Sequence, residues 1–421
     1  MIGLLRNEAV RKRILAPISY DALMLVMNLI TGVIVARTLG ADGRGQLAAT
    51  LVLVLTATWL FSVGSTEAIS FHQAKNRRDA ARLIGSWLAV VGVASVVAIL
   101  VMELVLPVLF SAQTDSAIEV ARWYIPLIAV SLAIAMYNGV LLGDEDFTAY
   151  NVLRAVIPVG IAIGYGILLL FDEFTVEGAL VANGAATTVA ALGMAWRTGR
   201  RHGIARPDIP LLRRTLWYGL RAHGGSIAGF VNARLDLLIL PAFLAAESVG
   251  LYSVATNTTS IIGALTGTVA MFVLPVAARR KHGSARTVVK TLQATAMIGL
   301  VLAIPMIVLA QFGLELVYGE EFGQAATAMR IMLPGEVLDA CSVVLWAGLL
   351  AANRPFLSSA AAGPGAVLTI VGLLLFLESG GIDAAAIVST SVHTLVFIVS
   401  ISLYRHVQGL RWRDFLASPT A

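Results

Sequence analysis

Four polar side chains lie close together in one apolar stretch of this sequence, residues 216–242: His223, Asn232, Arg234 and Asp236. At 100° per residue, Asn232 and Asp236 share one helical face. His223 and Arg234 share nearly the opposite face. A helix that is polar on two faces cannot turn both towards lipid, so we expect it to lie between two lobes. The guanidinium of Arg234 suits phosphate oxygens; a structural pair with a carboxylate on a neighbouring helix is the alternative.

Three carboxylates are candidates for coupling transport to a proton or a sodium ion. Glu336 and Asp339 stand three residues apart and so share a helical face. Two carboxylates held close in a low dielectric favour binding a proton, whereas solvated residues of an outward vestibule are the alternative. Asp21 is either a coupling acid or an interfacial cap near the beginning of the first apolar run. Asn28, seven residues on, lies on the same face and is a candidate for substrate binding.

The composition places these residues in a membrane protein. Of 421 residues, 58% are apolar and 13% are charged, and the mean hydropathy is +0.84. Soluble domains carry roughly 25% charged residues. The single cysteine, Cys341, excludes an intramolecular disulfide and a cysteine-based metal site. No hydrophilic stretch is long enough for a soluble catalytic domain, and no basic module with interleaved aromatic residues indicates nucleic-acid binding. We therefore expect no catalytic residue and no metal site.

The apolar segments predict an all-α integral membrane fold of about twelve transmembrane helices. With the N-terminus inside, 25 Lys and Arg residues lie at the predicted inner ends and 4 at the outer ends. This asymmetry predicts that both termini are cytoplasmic. The predicted spans are 15–37, 46–70, 83–110, 121–142, 148–171, 177–197, 216–242, 249–276, 288–311, 326–352, 357–378 and 383–404.

A long polar stretch after the sixth span divides the chain into two halves. We predict an N-terminal lobe at 1–200, a cytoplasmic linker at 201–215, and a C-terminal lobe with a short cytoplasmic tail at 216–421. The halves repeat: LGADGRG from Leu39 aligns with LAAESVG from Leu244, and GVLLGDEDF from Gly139 aligns with GLLAANRPF from Gly348. Six spans per half give both lobes one topology, related by a pseudo-two-fold axis along the membrane normal.

The same repeat aligns two arginines, each four residues before a proline. These are Arg122, before Pro126, and Arg330, before Pro334. Both lie at the predicted outer mouth, where they could bind phosphate as a symmetric basic pair. The alternative is that each anchors a helix end at the interface, since arginines near span ends usually snorkel.

Several motifs, in order along the chain, resemble the polysaccharide (O-antigen and exopolysaccharide) flippase branch of the multidrug/oligosaccharidyl-lipid/polysaccharide exporter superfamily. ARTLGADGRGQLA and VGSTEAISFHQAK lie within 35–75 and are similar to the family's first loop and second helix. NARLD at 232–236, with VGLYSVA and LPVA after it, resembles its seventh and eighth helices. YGEEFGQAATAMRIMLPG, from Tyr318, resembles its ninth-to-tenth connection.

The resemblance implies a flippase that moves undecaprenyl-diphosphate-linked oligosaccharide from the inner to the outer leaflet by alternating access. The substrate's diphosphate would meet Arg234, with His223. It also implies the bacterial cytoplasmic membrane, membrane lipids as partners, no cofactor beyond a coupling H⁺ or Na⁺, and work alongside polysaccharide polymerase and glycosyltransferases. A multidrug or cation antiporter of the same superfamily is the alternative. An integral membrane polymerase or glycosyltransferase is a third, although its usual large polar loop is missing.

Overall fold

The structure is a computed structural model that describes residues 8–278, 284–352 and 354–416. Its regular elements, within those ranges, are all helical. The chain divides into two compact units, Met1–Gly224 and Gly225–Ala421. An all-helical chain is what a bilayer requires, because a helix satisfies its backbone hydrogen bonds within one segment.

The first unit is built around α5, which contacts α1, α2, α3, α6 and α7. Its buried side chains form an apolar cluster that includes Leu83, Trp87, Met136 and Met194. A 3-10 turn, Arg77–Asp79, precedes α3. The helices are α1 (Glu8–Phe61), α2 (Ser65–Lys75), α3 (Ala80–Leu109), α4 (Asp115–Tyr124), α5 (Leu127–Gly143), α6 (Phe147–Leu170), α7 (Val176–His202) and the first half of α8 (Ile209–Ile239).

The second unit is built around α12, which contacts α9, α10 and α13 most extensively. Val344, Leu345 and Tyr404 belong to its buried apolar cluster, and Phe415 joins them from the last helix. Two 3-10 turns, Leu240–Ala242 and Glu320–Ala325, link helices. The helices are the second half of α8, then α9 (Ala246–Ala278), α10 (Ser284–Val308), α11 (Ala310–Tyr318), α12 (Ala326–Ala351), α13 (Pro355–Gln408) and α14 (Trp412–Leu416).

Each of the two longest helices folds back at a glycine. Gly40 in α1 has φ +67° and ψ −173°, and Arg44 Nη1 donates to the Gly32 carbonyl oxygen at 3.0 Å. A straight helix would separate residues twelve apart by about 18 Å along its axis, so α1 must reverse between them. Gly381 in α13 has φ +55° and ψ −142°. A methyl group on Gly372 would lie 2.9 Å from Val388 Cγ1, which requires the same reversal.

The helices are long and apolar enough for a multi-pass membrane protein. Among the described residues, seven helices pass this test, or eight if the bent pair α4 and α5 counts as one span. Two of them, Ser19–Phe61 and Ala360–Gln408, contain the reversals at Gly40 and Gly381, so each supplies two predicted spans. The helices follow the order of the predicted spans, and the number twelve stays a prediction. The positions of the termini also stay a prediction.

The predicted linker, 201–215, is partly helical and packs on the first unit. Residues 209–215 form the first turns of α8, and the Thr215 hydroxyl accepts a hydrogen bond from Trp87 Nε1 at 3.1 Å. Ahead of the helix, the Ala205 N–H donates to the Ala81 carbonyl at 3.1 Å. The two compact units meet at Gly224 and Gly225, within α8. The lobe boundaries at 200 and 216 stay a prediction.

Replacing Gly85 by alanine should destabilise the protein. A Cβ at this position on α3 would overlap the carbonyl oxygen of Ala205, so the linker would have to move. Overpacking of this kind costs about 1–3 kcal/mol. Gly92→Ala on the same helix is the matched control, because nothing lies within 4 Å of its added Cβ. Thermal unfolding midpoints in detergent should fall for Gly85→Ala only; equal midpoints would contradict this packing.

Candidate functional site

A group of polar side chains from α8, α9, α12 and α13 lies inside the second unit. Its best-defined contact joins α8 and α9: the Tyr252 hydroxyl donates to Asp236 Oδ2 at 2.6 Å. Tyr252 is fully buried, and its hydroxyl also meets the side chain of Ser389 on α13. Asp236 is half-buried and accepts a second bond from the Leu237 N–H at 2.8 Å. The carboxylate therefore has a fixed position and two donors, as a charge out of water requires.

Glu336 lies at the centre of this group. It is half-buried on α12, within electrostatic reach of Asp236 and Asp339 and of two basic groups, Arg234 and His393. Asp339, on the same helix, is half-buried as well. Three acids and two basic groups in one unit nearly balance in charge, so the set can take up or release a proton without gaining a large net charge.

A small residue on α12, Gly335, makes room for the group. A Cβ on Gly335 would lie 3.0 Å from Thr390 Cα and 3.3 Å from His393 Nδ1, so the missing side chain lets α13 approach α12. The Thr390 hydroxyl fixes that approach by donating to the Ile331 carbonyl at 2.6 Å. As a result, the buried ring of His393 stands beside the backbone next to Glu336.

Arg234 is half-buried on α8 and has electrostatic contact with Glu336. Within the part of the chain that the structure describes, its guanidinium forms no ion pair and no hydrogen bond with a protein group. Among the described residues, no carboxylate pairs directly with Arg234, and the choice between an anion site and a structural pair stays a prediction. A guanidinium in a predicted span without such a contact is a candidate to bind an anion.

The other two candidates of the seventh predicted span have different surroundings. His223 is buried in the first unit, with its ring centroid 4.8 Å from that of Trp59. Arg234 belongs to the second unit. The side chain of Asn232 lies outside the described residues. That Asn232 and His223 bind substrate stays a prediction.

The candidates of the first predicted span lie on the exposed surface of the first unit. Asp21 is exposed, and its Oδ1 is 3.9 Å from Arg154 Nη1. Ion pairs of this length and exposure contribute little to stability. Asn28 is exposed too, and its carbonyl accepts a bond from the Thr31 hydroxyl at 3.1 Å. The structure does not bring either residue into contact with the other candidates of its unit.

The two arginines of the repeat have different protein partners. Arg122 Nε donates to Glu103 Oε2 at 3.1 Å, which joins α4 to α3. Arg330 Nε donates to the Ile307 carbonyl at 3.1 Å, in the last turn of α10. A cation there binds carbonyls at the negative end of the helix dipole. Both contacts are structural, and a role of either arginine in phosphate binding stays a prediction.

A second polar group, in the first unit, joins α2, α5 and α7. The Asp144 carboxylate is almost fully buried; Gln73 Nε2 donates to one oxygen at 2.6 Å and His202 Nε2 contacts the other at 2.6 Å. Asp144 belongs to the sequence GDEDF of the internal repeat, and the repeat gave no sign that this carboxylate is buried. Arg44, in the first loop motif ARTLGADGRGQLA, is buried too, against Gly32.

Asp146, two residues on, caps α6 and pairs with α7. Its Oδ1 accepts a bond from the Ala149 N–H at 3.2 Å, and Arg197 Nη2 donates to its Oδ2 at 2.7 Å. Burial raises the pKa of this carboxyl, but the hydrogen bonds and the charges of Arg197 and Arg201 lower it more, so the pKa of Asp146 lies below its usual value. The charged form is stabilised, and the pair holds α7 to the start of α6.

The sequence did not single out Tyr252, His393, Ser389 or the Asp144–His202 contact. An ionisable residue inside an apolar run is a signal of function, and His393, at the middle of the last predicted span, carried that signal. Tyr252 and Ser389 carried none, because both residue types are common in membrane helices. In the described part of the chain, no group of three or more His, Cys, Asp or Glu could hold a metal ion.

Residues 15–281, more than half of the chain, match the model of a family described as polysaccharide biosynthesis protein. The chain belongs to that family. A curated relative, the probable low-salt glycan biosynthesis flippase Agl15 of Haloferax volcanii, is 24% identical over 298 residues. That alignment covers 69% of this chain and 61% of the relative, so the chain spans about three fifths of the relative's length.

Several solved structures share the fold of this chain. The lipid II flippase MurJ, in an inward closed conformation, gives a TM-score of 0.79 at 12% identity, covering 95% of this chain and 89% of that chain. An inward-facing multidrug resistance MATE family transporter of the MOP superfamily gives 0.73 at 17% identity, covering 92% and 95%. The predicted two-lobe, all-helical membrane fold and the resemblance to this superfamily are confirmed.

Replacing Tyr252 by phenylalanine should destabilise the protein more than the same change at Tyr318. The first removes a hydrogen bond to a carboxylate, and such bonds contribute about 1.5–3 kcal/mol. The second removes the acceptor of a neutral bond from Thr258, at 3.2 Å, worth roughly 0.5–1.5 kcal/mol. Thermal unfolding in detergent compares the two variants. A larger loss at Tyr318 would show that the contact between Asp236 and Tyr252 is not the stronger one.

Proposed function

We propose that this protein is a flippase that carries the polar head of a lipid-linked oligosaccharide across the bilayer by alternating access. The observation that carries the proposal is Arg234, a guanidinium in the predicted seventh span, which forms no direct contact with a described protein acceptor. Holding such a charge in a span costs roughly 2.5–3.5 kcal/mol on insertion scales. An anionic head group that enters the protein would offset this cost and bind through paired hydrogen bonds.

The family and the curated relative support a glycan as the cargo. The matching family is described by polysaccharide biosynthesis, and Agl15 is named as a probable glycan biosynthesis flippase. We propose the undecaprenyl-diphosphate-linked repeat unit as the substrate, moved from the inner to the outer leaflet of a bacterial cytoplasmic membrane. The protein would act without covalent chemistry, with both termini inside, beside the polymerase and glycosyltransferases of its pathway. A polymerase or glycosyltransferase function receives no support from the polar group in the second unit.

Coupling to an ion is proposed for the acids of α12 rather than for Asp21. Glu336 stands among Asp236, Asp339 and His393, where a bound proton or Na⁺ changes the charge that Arg234 meets. Asp21 is exposed, and its nearest charged partner is Arg154, 3.9 Å away. We propose that Glu336, with Asp339, binds the coupling ion and thereby sets the affinity of Arg234 for the anionic head group.

Arg234→Ala should abolish or strongly slow transport. Losing charge-assisted bonds worth about 1.5–3 kcal/mol predicts a fall of roughly 10-fold to 150-fold in flipping rate. In cells that lack the wild-type gene, complete repeat units on the isoprenoid carrier should accumulate and surface glycan should disappear, as measured by mass spectrometry and glycan staining. The matched control is Arg286→Ala, which changes an exposed arginine on α10. This variant should restore normal levels of the carrier-linked intermediates and of surface glycan.

Other results of that experiment would point to the alternatives. Carrier-linked intermediates that stay unchanged, with altered sensitivity to cationic compounds, would contradict the flippase and favour the antiporter. Single repeats that accumulate facing outward would indicate a polymerase. A well-expressed Arg234→Ala protein with full activity would remove Arg234 from the mechanism.

Glu336→Gln should remove the dependence of transport on an ion gradient. Because glutamine cannot bind a proton or balance Na⁺, flipping of a labelled lipid-linked oligosaccharide in proteoliposomes should be the same with and without the gradient. The wild-type protein should be accelerated by a proton or a sodium gradient, and so should the control Glu321→Gln, an exposed carboxylate in the turn before α12. If the wild-type flipping rate is the same with and without a proton or sodium gradient, ion coupling is contradicted, but the flippase function is not.

A further inference from the structure

The first half of α8 has one face fixed on the first unit. Leu211 is buried in the unit's apolar cluster, and Thr215 is fully buried against Trp87. At Gly219 the backbone packs so closely that a Cβ would lie 2.7 Å from the Val63 carbonyl oxygen. These contacts, one turn apart, set the rotation of the helix and therefore decide which side chains face outward.

The opposite face lines a concave surface. Its residues recur every three to four positions, as one side of a helix requires. The pocket has a volume of about 610 Å³. Trp217 is 57% exposed there, and the guanidinium of Arg221 lies 4.6 Å from its ring centroid. The described lining residues are Pro210, Arg213, Arg214, Leu216, Trp217 and Leu220.

Two of the lining residues carry positive charge that no described carboxylate neutralises. Arg213 and Arg214 are exposed, and within the described residues neither forms an ion pair or a hydrogen bond. Other arginines of the same unit behave differently: Arg197 pairs with Asp146 at 2.7 Å and Arg82 with Asp208 at 3.4 Å. The surface around Trp217 is therefore both apolar and basic.

This surface begins at Pro210, near the ends of two membrane helices, and Trp217 lies about two turns farther along α8. The segment just before α8 is bonded to the beginning of α3 through Ala205 and Ala81, and it follows directly from the end of α7 at His202. Helix ends with exposed Trp and Arg side chains lie among the lipid head groups. A basic pocket at this depth meets phosphate from the head groups and acyl chains from the adjoining leaflet.

We propose that this face of α8 is a binding site for an anionic phospholipid of the surrounding bilayer. Arg213 and Arg214 bind the phosphate through their guanidinium groups, and Trp217 with Leu220 packs against the first part of an acyl chain. A free phosphate ion would use the charges and leave the apolar half of the pocket empty. The site does not depend on the proposed transport function, since none of its residues has a role there.

The test uses native mass spectrometry to measure how much lipid the full-length protein retains. The protein is purified in detergent and titrated with phosphatidylglycerol or with phosphatidylcholine. The double variant Arg213→Gln/Arg214→Gln should bind phosphatidylglycerol about 30-fold more weakly, since each basic residue near an anionic head group contributes roughly a factor of five. Arg77→Gln/Arg78→Gln removes the same charge from an exposed turn of the same unit and should bind as the wild type does. Trp217→Ala should weaken binding of phosphatidylglycerol with the charges intact.

Each other result overturns the proposal. Equal weakening in the two double variants would mean that net charge, not this pocket, holds the lipid. Retention of phosphatidylcholine as strong as that of phosphatidylglycerol would remove the role of the arginines. If an isoprenoid phosphate displaces phosphatidylglycerol and phosphatidylglycerol cannot displace it, the face belongs to the route of the substrate instead. The variant Arg213→Lys/Arg214→Lys keeps the charge. It shows whether the glutamine variant loses binding because its charge is gone or because it is misfolded.

Discussion

Hydrocarbon offers no hydrogen-bond partner, and the rest of this structure depends on that constraint. Backbone groups meet it through helices, and each of the two long helices reverses at a glycine. At Gly40 the partner is Arg44, whose guanidinium donates to the Gly32 carbonyl across the reversal. The positive φ angles of Gly40 and Gly381 would strain most other residues. One residue type and one buried cation thus convert a single helix into two antiparallel spans.

Because of the same constraint, the arginines differ in the groups that they contact. Arg122 contacts Glu103, Arg330 contacts a helix-end carbonyl, and Arg197 contacts Asp146; in each case the contact joins two helices of one unit. Arg234 has only longer-range electrostatic contact with Glu336 among the described residues. A charge that holds helices together must be satisfied in every state of the protein. A charge that binds cargo must be satisfied by the cargo, and its partner leaves when transport is complete.

Hydropathy predicted the helices well because burial in lipid acts on the average of some twenty residues. The third predicted span, 83–110, is close to α3, Ala80–Leu109. The breaks between helices were harder to predict. The second predicted span continues to 70, but the structure ends α1 at Phe61 and begins α2 at Ser65; Gly64, with φ +67°, separates them against the backbone of Gly219. That glycine is needed because a distant helix packs on it, which no local pattern reveals.

The candidate site also could be predicted only in part from the sequence. Intramembrane charge pointed to Asp236 and Glu336 because each is costly wherever it lies. It could not reveal that Tyr252 donates to Asp236, since that bond depends on how α8 and α9 are rotated, and packing sets their rotation. Tyrosine and serine carry no net charge and cost less to bury, so their participation leaves no trace in the sequence. The acids of a membrane site are therefore visible from composition, whereas the neutral donors that position them become visible only once the helices are packed.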